Sequence, residues 1–312
     1  MNLAVNVICR NLQDDRVIPR FARYLRDHLG WSLTARPDPA ADMYYLSGYF
    51  EAQLMRPWPD RPTAAYFTHK EEQPPGNTKA KLYDSIARKV DLRIATCALY
   101  ANPLADYGPT AQITPPVERH RFTIPAKLNR VVVAGFSGYT YANRRKGEDL
   151  ARAVIASKIG RSIQWRASGR GWPVSTMKYP WDEMPAFYRS LDVLVVVARV
   201  EGVPMPPLEC LASGVSVVIP KGVGLLDELP DVPGIHRYKA GDAKDCIRAL
   251  AVSIETRSRV DREALRAATD PYTIMAWCEQ HRQAFEEILF WSKHEASTAS
   301  PSAIRPEPAL VA

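Results

Sequence analysis

The chain has 312 residues, of which 46% are hydrophobic and 24% charged, and it carries a formal net charge of +7. That mix excludes a disordered or fibrous chain and supplies material for two cores of about 150 residues each. The positive balance suits polyanionic company, whether nucleotide phosphates, nucleic acid or an anionic membrane face, and decides nothing about fold.

In chain order, residues 3–8 predict a first strand and 10–15 a polar loop. Residues 19–29 predict a helix, with Ile18, Phe21, Leu25 and Leu29 on one side. Arg16, Arg20, Arg23 and Arg26 recur every three or four residues on the other side. That spacing predicts a basic face, either solvated or set against an anionic acceptor or lipid head groups. Short strands are expected at 33–35 and 43–46, and a clearer one at 64–68 that runs into His69, Lys70, Glu71 and Glu72. A histidine just past a strand end faces the ligand side of an α/β sheet; the competing reading is a capping or salt-bridging group. A helix at 79–89, a strand at 92–95, a short helix at 96–106 and a strand exit at 114–117 complete this part.

The second part opens with a strand at 131–134 that enters a turn holding Gly135 and Gly138. Arg144, Arg145, Lys146 and Gly147 follow, before a helix at 148–157. Cations beside a glycine turn at a helix entrance suit a diphosphate, because free amides and positive charge both meet its oxygens. The region is not a Walker A loop, which requires a glycine-lysine followed by serine or threonine. A strand at 162–167 leads to Ser168, Gly169, Arg170, Gly171 and Trp172, where the indole packs either on a base or on the protein. After a helix at 182–189, the apolar run 193–198 reads as a buried strand. Glu201 follows it, and Pro206, Pro207, Leu208 and Glu209 mark the start of a helix that ends near Gly214. With a strand at 215–219 this is a βαβ unit, so both carboxylates sit beyond strand ends, where open parallel sheets bind ligands. A loop at 221–228 follows, then helices at 243–254, 262–268 and 272–290, the last with Met275, Cys278, Phe285 and Leu289 at helical spacing. From residue 296 the chain is rich in Ala, Ser, Thr and Pro and is expected to be disordered.

The text EGVPMPPLECLASGVSVV, residues 201–218, resembles the signature of retaining glycosyltransferases of the family-4 type, with Ser216 where that pattern has proline. The RKG element at 145–147, YFTHKEE at 66–72, VDLRIATC at 90–97 and ITPPVERHRF at 113–122 resemble further segments of that family. The resemblance implies an α/β fold of GT-B architecture, two Rossmann-like parallel-sheet domains facing across a cleft. It implies a compact acceptor-side domain at 1–124, a nucleotide-sugar domain at 125–270, a helix at 271–295 crossing back, and the tail 296–312. It also implies roles. Glu209 holds the donor ribose hydroxyls, Glu201 lies over the sugar, and His69 reaches in from the first domain. Lys146 takes the place of the diphosphate lysine. The family's partner arginine falls where this chain has Tyr139, so Arg144 or Arg145 substitutes. Gly138, Arg170, Pro207 and Leu208 complete the donor contacts.

The expected activity is transfer of a sugar from a nucleotide-diphosphate sugar to a saccharide or glycolipid, with retention. No cofactor is expected, and no metal, since no DxD triplet or HExxH helix is present. A DNA acceptor carrying a hydroxylated base is the first alternative, suggested by the +7 charge and the arginine face. A non-catalytic nucleotide-binding module is the second, suggested by Tyr139 and the short first domain. A dinucleotide dehydrogenase fits less well, since no strand runs into GxGxxG. The five cysteines are odd in number, widely spaced and without a CxxC pair, so buried free thiols are expected. With neither a signal-type core nor a run long enough to span a bilayer, the expected location is cytoplasmic, with peripheral association at a membrane or nucleic acid left open.

Overall fold

A computed structural model describes residues 3–298 other than 14, 73–75 and 203. Strands buried on both faces read as continuous apolar runs rather than alternating ones. In the first domain β1 (Val5–Ile8) fits that rule, and the helix α1 (Val17–Leu29) follows it. α1 stops at Gly30, whose φ of 69° lets its N–H reach the Arg26 carbonyl. Then come β2 (Ser32–Thr34), β3 (Met43–Leu46) and β4 (Thr63–Phe67). Asn77 caps α2 (Thr78–Lys89) by accepting from the Ala80 N–H. β5 (Leu92–Ala95), α3 (Ala98–Ala105) and β6 (Thr110–Gln112) close the domain. All six strands are parallel, in the order β2-β1-β3-β4-β5-β6.

The second domain runs through β7 (Val133–Tyr139), α4 (Glu148–Ala156), β8 (Gln164–Arg170), β9 (Thr176–Met177) and α5 (Met184–Arg189). It continues with β10 (Val193–Val195), α6 (Met205–Ala212), β11 (Ser216–Pro220), β12 (Ile235–Tyr238), α7 (Ala243–Thr256) and α8 (Arg262–Ala267). Its six parallel strands are ordered β12-β11-β10-β7-β8-β9. The order in which strands are added reverses between β1 and β3 in one sheet and between β7 and β10 in the other. Such reversal points open the crevices where α/β sheets bind ligands.

The last helix, α9 (Ile274–Thr298), returns to the first domain. Trp277 packs on Phe21 of α1 at 5.4 Å between ring centroids, and Phe285 packs on Trp31 at 4.7 Å. His281 is fully buried; its Nδ1 lies 2.8 Å from the Trp277 carbonyl and its Nε2 3.0 Å from the Tyr45 hydroxyl. Burial lowers His281 to about 3, so it stays neutral.

Several elements differ from the sequence reading. The edge strand of the first sheet is at Thr110–Gln112, not 114–117, where Pro115 and Pro116 offer no N–H to a ladder. β7 continues through Gly135 and Gly138 instead of turning at them, and glycine at 135 leaves room for Leu191, 2.5 Å from an added Cβ. β8 likewise runs on to Arg170. The short β9 and β12 were not expected; strands of two to four residues carry little periodicity. α9 extends to Thr298, past the expected start of the tail, and 299–312 lie outside the described residues.

The arginine face of α1 is not uniform either. Arg26 is exposed beside Asp27, whereas Arg20 is only 5% exposed and lies under the second domain. All five cysteines are buried free thiols. No helix of the described residues is long and apolar enough to cross a membrane.

Candidate active site between the two sheets

The two reversal points face one another across a cleft of about 870 Å³. Asn11, Arg16 and Arg20 line it from the β1–α1 side, Gly138 and Gly169 from the ends of β7 and β8, and Glu209 from α6. Toward β10 it narrows to about 20 Å³ between Lys146, Glu201 and Pro207, room for about one water.

The narrow end is dense with charge. Gly147 starts α4 with φ 74°, and a Cβ there would lie 1.9 Å from the Val197 carbonyl, so only glycine lets the RKG turn press against the end of β10. That turn delivers Lys146 into an ion pair and hydrogen bond with Glu201. Arg145 comes in beside it, 3.9 Å from Glu201 and 3.4 Å from Glu71 of the first domain, with its guanidinium 4.2 Å from the centroid of Tyr141. Glu71 also pairs with Lys79 at 2.9 Å and lies 3.6 Å from His69 Nε2. Burial raises the Glu71 carboxyl, but Lys79 and then Arg145 outweigh it and leave it below its ordinary range. Burial, and then Arg145, depress the His69 imidazole, so this ring is neutral near pH 7. The domains meet closely here. The Tyr100 hydroxyl donates to the Glu201 carbonyl at 2.7 Å, and a Cβ on Gly202 would lie 2.3 Å from the Thr68 carbonyl.

The wide end holds one carboxylate. Glu209, 3% exposed in the first turns of α6, accepts a 2.6 Å hydrogen bond from the Tyr188 hydroxyl of α5. Ser137 lies 3.3 Å from the same hydroxyl. Burial pushes the Glu209 carboxyl up to about 7, with Arg20 and the Tyr188 bond pulling the other way. Across the cleft Arg20 stacks on Trp181, 3.3 Å from guanidinium carbon to ring centroid.

Glu201, Lys146, Arg145 and His69 are thus brought together, and Glu209, Gly138 and Pro207 line the spaces beside them. Other expected donor contacts are not. Leu208 is fully buried in the apolar core, so it offers a ligand only its backbone. Arg144 has φ 54° and is exposed; the turn that strains it is the one that swings Arg145 inward. Arg170 is exposed and lies over the Tyr139 ring, 5.2 Å from its centroid. Trp172 packs on the protein: it stacks on Phe136 at 5.0 Å and donates to the Gly138 carbonyl. Glu71, Tyr188, Arg20 and Trp181 were missed. Glu71 was visible beside His69, whereas the other three meet the site only through tertiary contact. Among the described residues no group of three or more His, Cys, Asp or Glu is placed to hold a metal.

The fold is that of the GT-B class. HepE of Anabaena in complex with UDP-glucose superposes with a TM-score of 0.69 at 11% identity, covering 91% of this chain and 100% of that one. Sucrose-phosphate synthase from Thermosynechococcus elongatus gives 0.68 at 15% identity, covering 88% and 78%. A glycosyltransferase from Rickettsia africae gives 0.68 at 12%, covering 92% and 98%. In sequence, the sulfoquinovosyl transferase SQD2 of Arabidopsis thaliana is 31% identical over 128 residues, 38% of this chain. That match spans a quarter of the relative's length. No protein-family model matches the chain.

Proposed function

We propose that this chain is a retaining, metal-independent glycosyltransferase of the family-4 type that uses a nucleoside-diphosphate sugar. The observation that carries the reading is the cluster of Lys146, Arg145 and Glu201 at the reversal point of the second sheet, opening onto the larger cleft that holds Glu209. The GT-B neighbours, one of them with UDP-glucose, and the transferase relative support it.

In this reading the ribose hydroxyls donate to Glu209, whose second oxygen is held by Tyr188. The diphosphate takes Lys146 and Arg145 from their carboxylate partners, exchanging Glu201 and Glu71 for phosphate oxygens. Arg145, not Arg144, is then the second cation that the sequence lacks at Tyr139. Freed from Lys146, Glu201 accepts from sugar hydroxyls and faces the positive charge that grows at the anomeric carbon. The bond from that carbon to the diphosphate breaks, and the acceptor oxygen bonds on the same face. The acceptor proton leaves with the phosphate oxygen. Neutral His69 offers a ring nitrogen to the sugar from the first domain. The close domain contact at Gly202 keeps water from competing.

The acceptor is a saccharide or glycolipid hydroxyl. The burial of Arg20 removes one cation from the helix face that had suggested DNA. Incubation with a panel of nucleotide sugars, following release of nucleoside diphosphate, tests the activity. Slow release from at least one donor, lost in Lys146→Ala, is expected; no binding and no release from any donor would leave a structural module instead.

A further inference from the structure

Arg20 belongs to the first domain, yet its guanidinium lies in the nucleotide side of the cleft. It is 5% exposed, and its buried Nε has no hydrogen-bond partner. One face rests on Trp181 of the second domain, and its NH1 is 3.6 Å from Glu118 in the segment between the sheets. A buried cation with so few hydrogen bonds is costly unless negative charge surrounds it. Glu118 serves only in part, because it also accepts from the Tyr24 hydroxyl and pairs with Arg121 at 3.1 Å. Arg121 is itself held by Asp182 at 2.6 Å. The other carboxylate lining the same cleft with Arg20 and Trp181, on the second domain, is Glu209.

We propose that Arg20 is a positioning residue that favours the ionised form of Glu209 across the cleft they both line, so that the first domain helps set the charge of the carboxylate that receives the nucleotide. The proposal rests on the reading of Glu209 as the ribose ligand. The ribose offers hydroxyl donors, and an ionised carboxylate accepts them more strongly than a neutral one, which has a proton of its own to place. The groups that act most strongly on Glu209 have definite signs, while Asp15, Arg16, Glu51 and Lys178 line the same cleft. Arg20 comes from α1, Glu118 and Arg121 from the segment between the domains, Tyr188 from α5, and Cys210 from its own helix. Burial keeps Tyr188 and Cys210 protonated and uncharged. The balance therefore lies between Arg20 and Arg121 on one side and burial and Glu118 on the other, with Arg20 the strongest group lowering the Glu209 carboxyl.

The test follows the Glu209 carboxyl by carbon NMR in the unliganded full-length chain, assigned by its absence in Glu209→Gln. In parallel, affinity for uridine, adenosine and guanosine diphosphates is measured by calorimetry from pH 5.5 to 9. The unaltered protein should titrate near pH 7. Arg20→Gln should move that midpoint up by about one pH unit, the scale on which a neighbouring opposite charge acts, and Glu118→Gln should move it down. A one-unit rise leaves about a fifth as much ionised carboxylate at pH 7, so the affinity of Arg20→Gln should fall about fivefold there and recover by pH 9. A midpoint unmoved in Arg20→Gln overturns the proposal. A midpoint that moves while affinity ignores it leaves Arg20 in its role and overturns the ribose assignment. If Arg20→Gln does not fold, Arg20→Lys must keep the midpoint near that of the unaltered protein and Glu118→Gln must lower it. A Glu118→Gln midpoint that stays put then rejects the proposal.

Discussion

Glu201 and Glu209 are separated by seven residues and belong to one loop-and-helix segment, yet the structure treats them differently. Glu201 stands in a space of about 20 Å³ among Lys146 and Arg145, already matched by positive charge. Glu209 stands at the side of a cleft of about 870 Å³, held by one tyrosine hydroxyl and raised by burial to about 7. The first carboxylate occupies the cations that, in the proposed reading, a diphosphate must claim. The second is an acceptor with room before it. In the proposed reading one end serves exchange of anions and the other capture of hydroxyl donors, and the two can be perturbed separately.

The largest separation should come from Lys146→Ala. Removing a cation from the leaving diphosphate should lower transfer by about 10²–10³-fold, the scale for a lost charge-stabilising group. Its loss in affinity should be large for nucleoside diphosphate and small for the nucleoside, read by calorimetry. Equal losses for both would erase the distinction between the two ends.

Glu209→Ala should weaken nucleoside and nucleoside diphosphate alike, by about 1.5–3 kcal/mol for a charge-assisted contact, and Glu209→Gln should keep part of that binding. Unchanged affinity in both variants would remove Glu209 from the site. The same residue makes a prediction for stability. Its folded value near 7 lies above the ordinary 4.5, so its contribution is complete below about 4.5 and is lost as pH rises through 7. Urea melts at pH 5 and pH 8 should therefore show a smaller decline for Glu209→Gln than for the unaltered chain.

A smaller effect distinguishes the neighbouring arginines. Arg145→Ala should cost about tenfold in affinity for nucleoside diphosphate, near 1.4 kcal/mol, while Arg144→Ala should stay within about twofold. The reverse order would mean that the strained turn at Arg144 does not aim Arg145 at the ligand.

Much of this was legible in the sequence, for physical reasons that can be named. Apolar runs such as 193–198 and 215–219 are buried on both faces, so they announce parallel strands without a partner in view. Prolines and a carboxylate at 206–209 mark a helix entrance whatever the fold around it. Lys146 stood out because it is a cation beside a glycine turn at a helix entrance. Arg20 was misread for a reason equally general. Periodicity shows that four arginines share a helix side, but it cannot show that Trp181 and Glu118, distant in sequence, will bury one of them. Leu208 and Arg144 show the same limit: adjacency to Glu209 and Arg145 places them in the turn, and side-chain direction within it puts Leu208 in the core and Arg144 in solvent.

The exchange of carboxylate for phosphate is the central claim, and a crystal structure of the chain with nucleoside diphosphate tests it most directly. Lys146 Nζ should leave Glu201 for a phosphate oxygen, Arg145 should leave Glu71, and the ribose hydroxyls should lie within hydrogen-bond distance of Glu209. A nucleotide bound while Lys146 still pairs with Glu201 would contradict it.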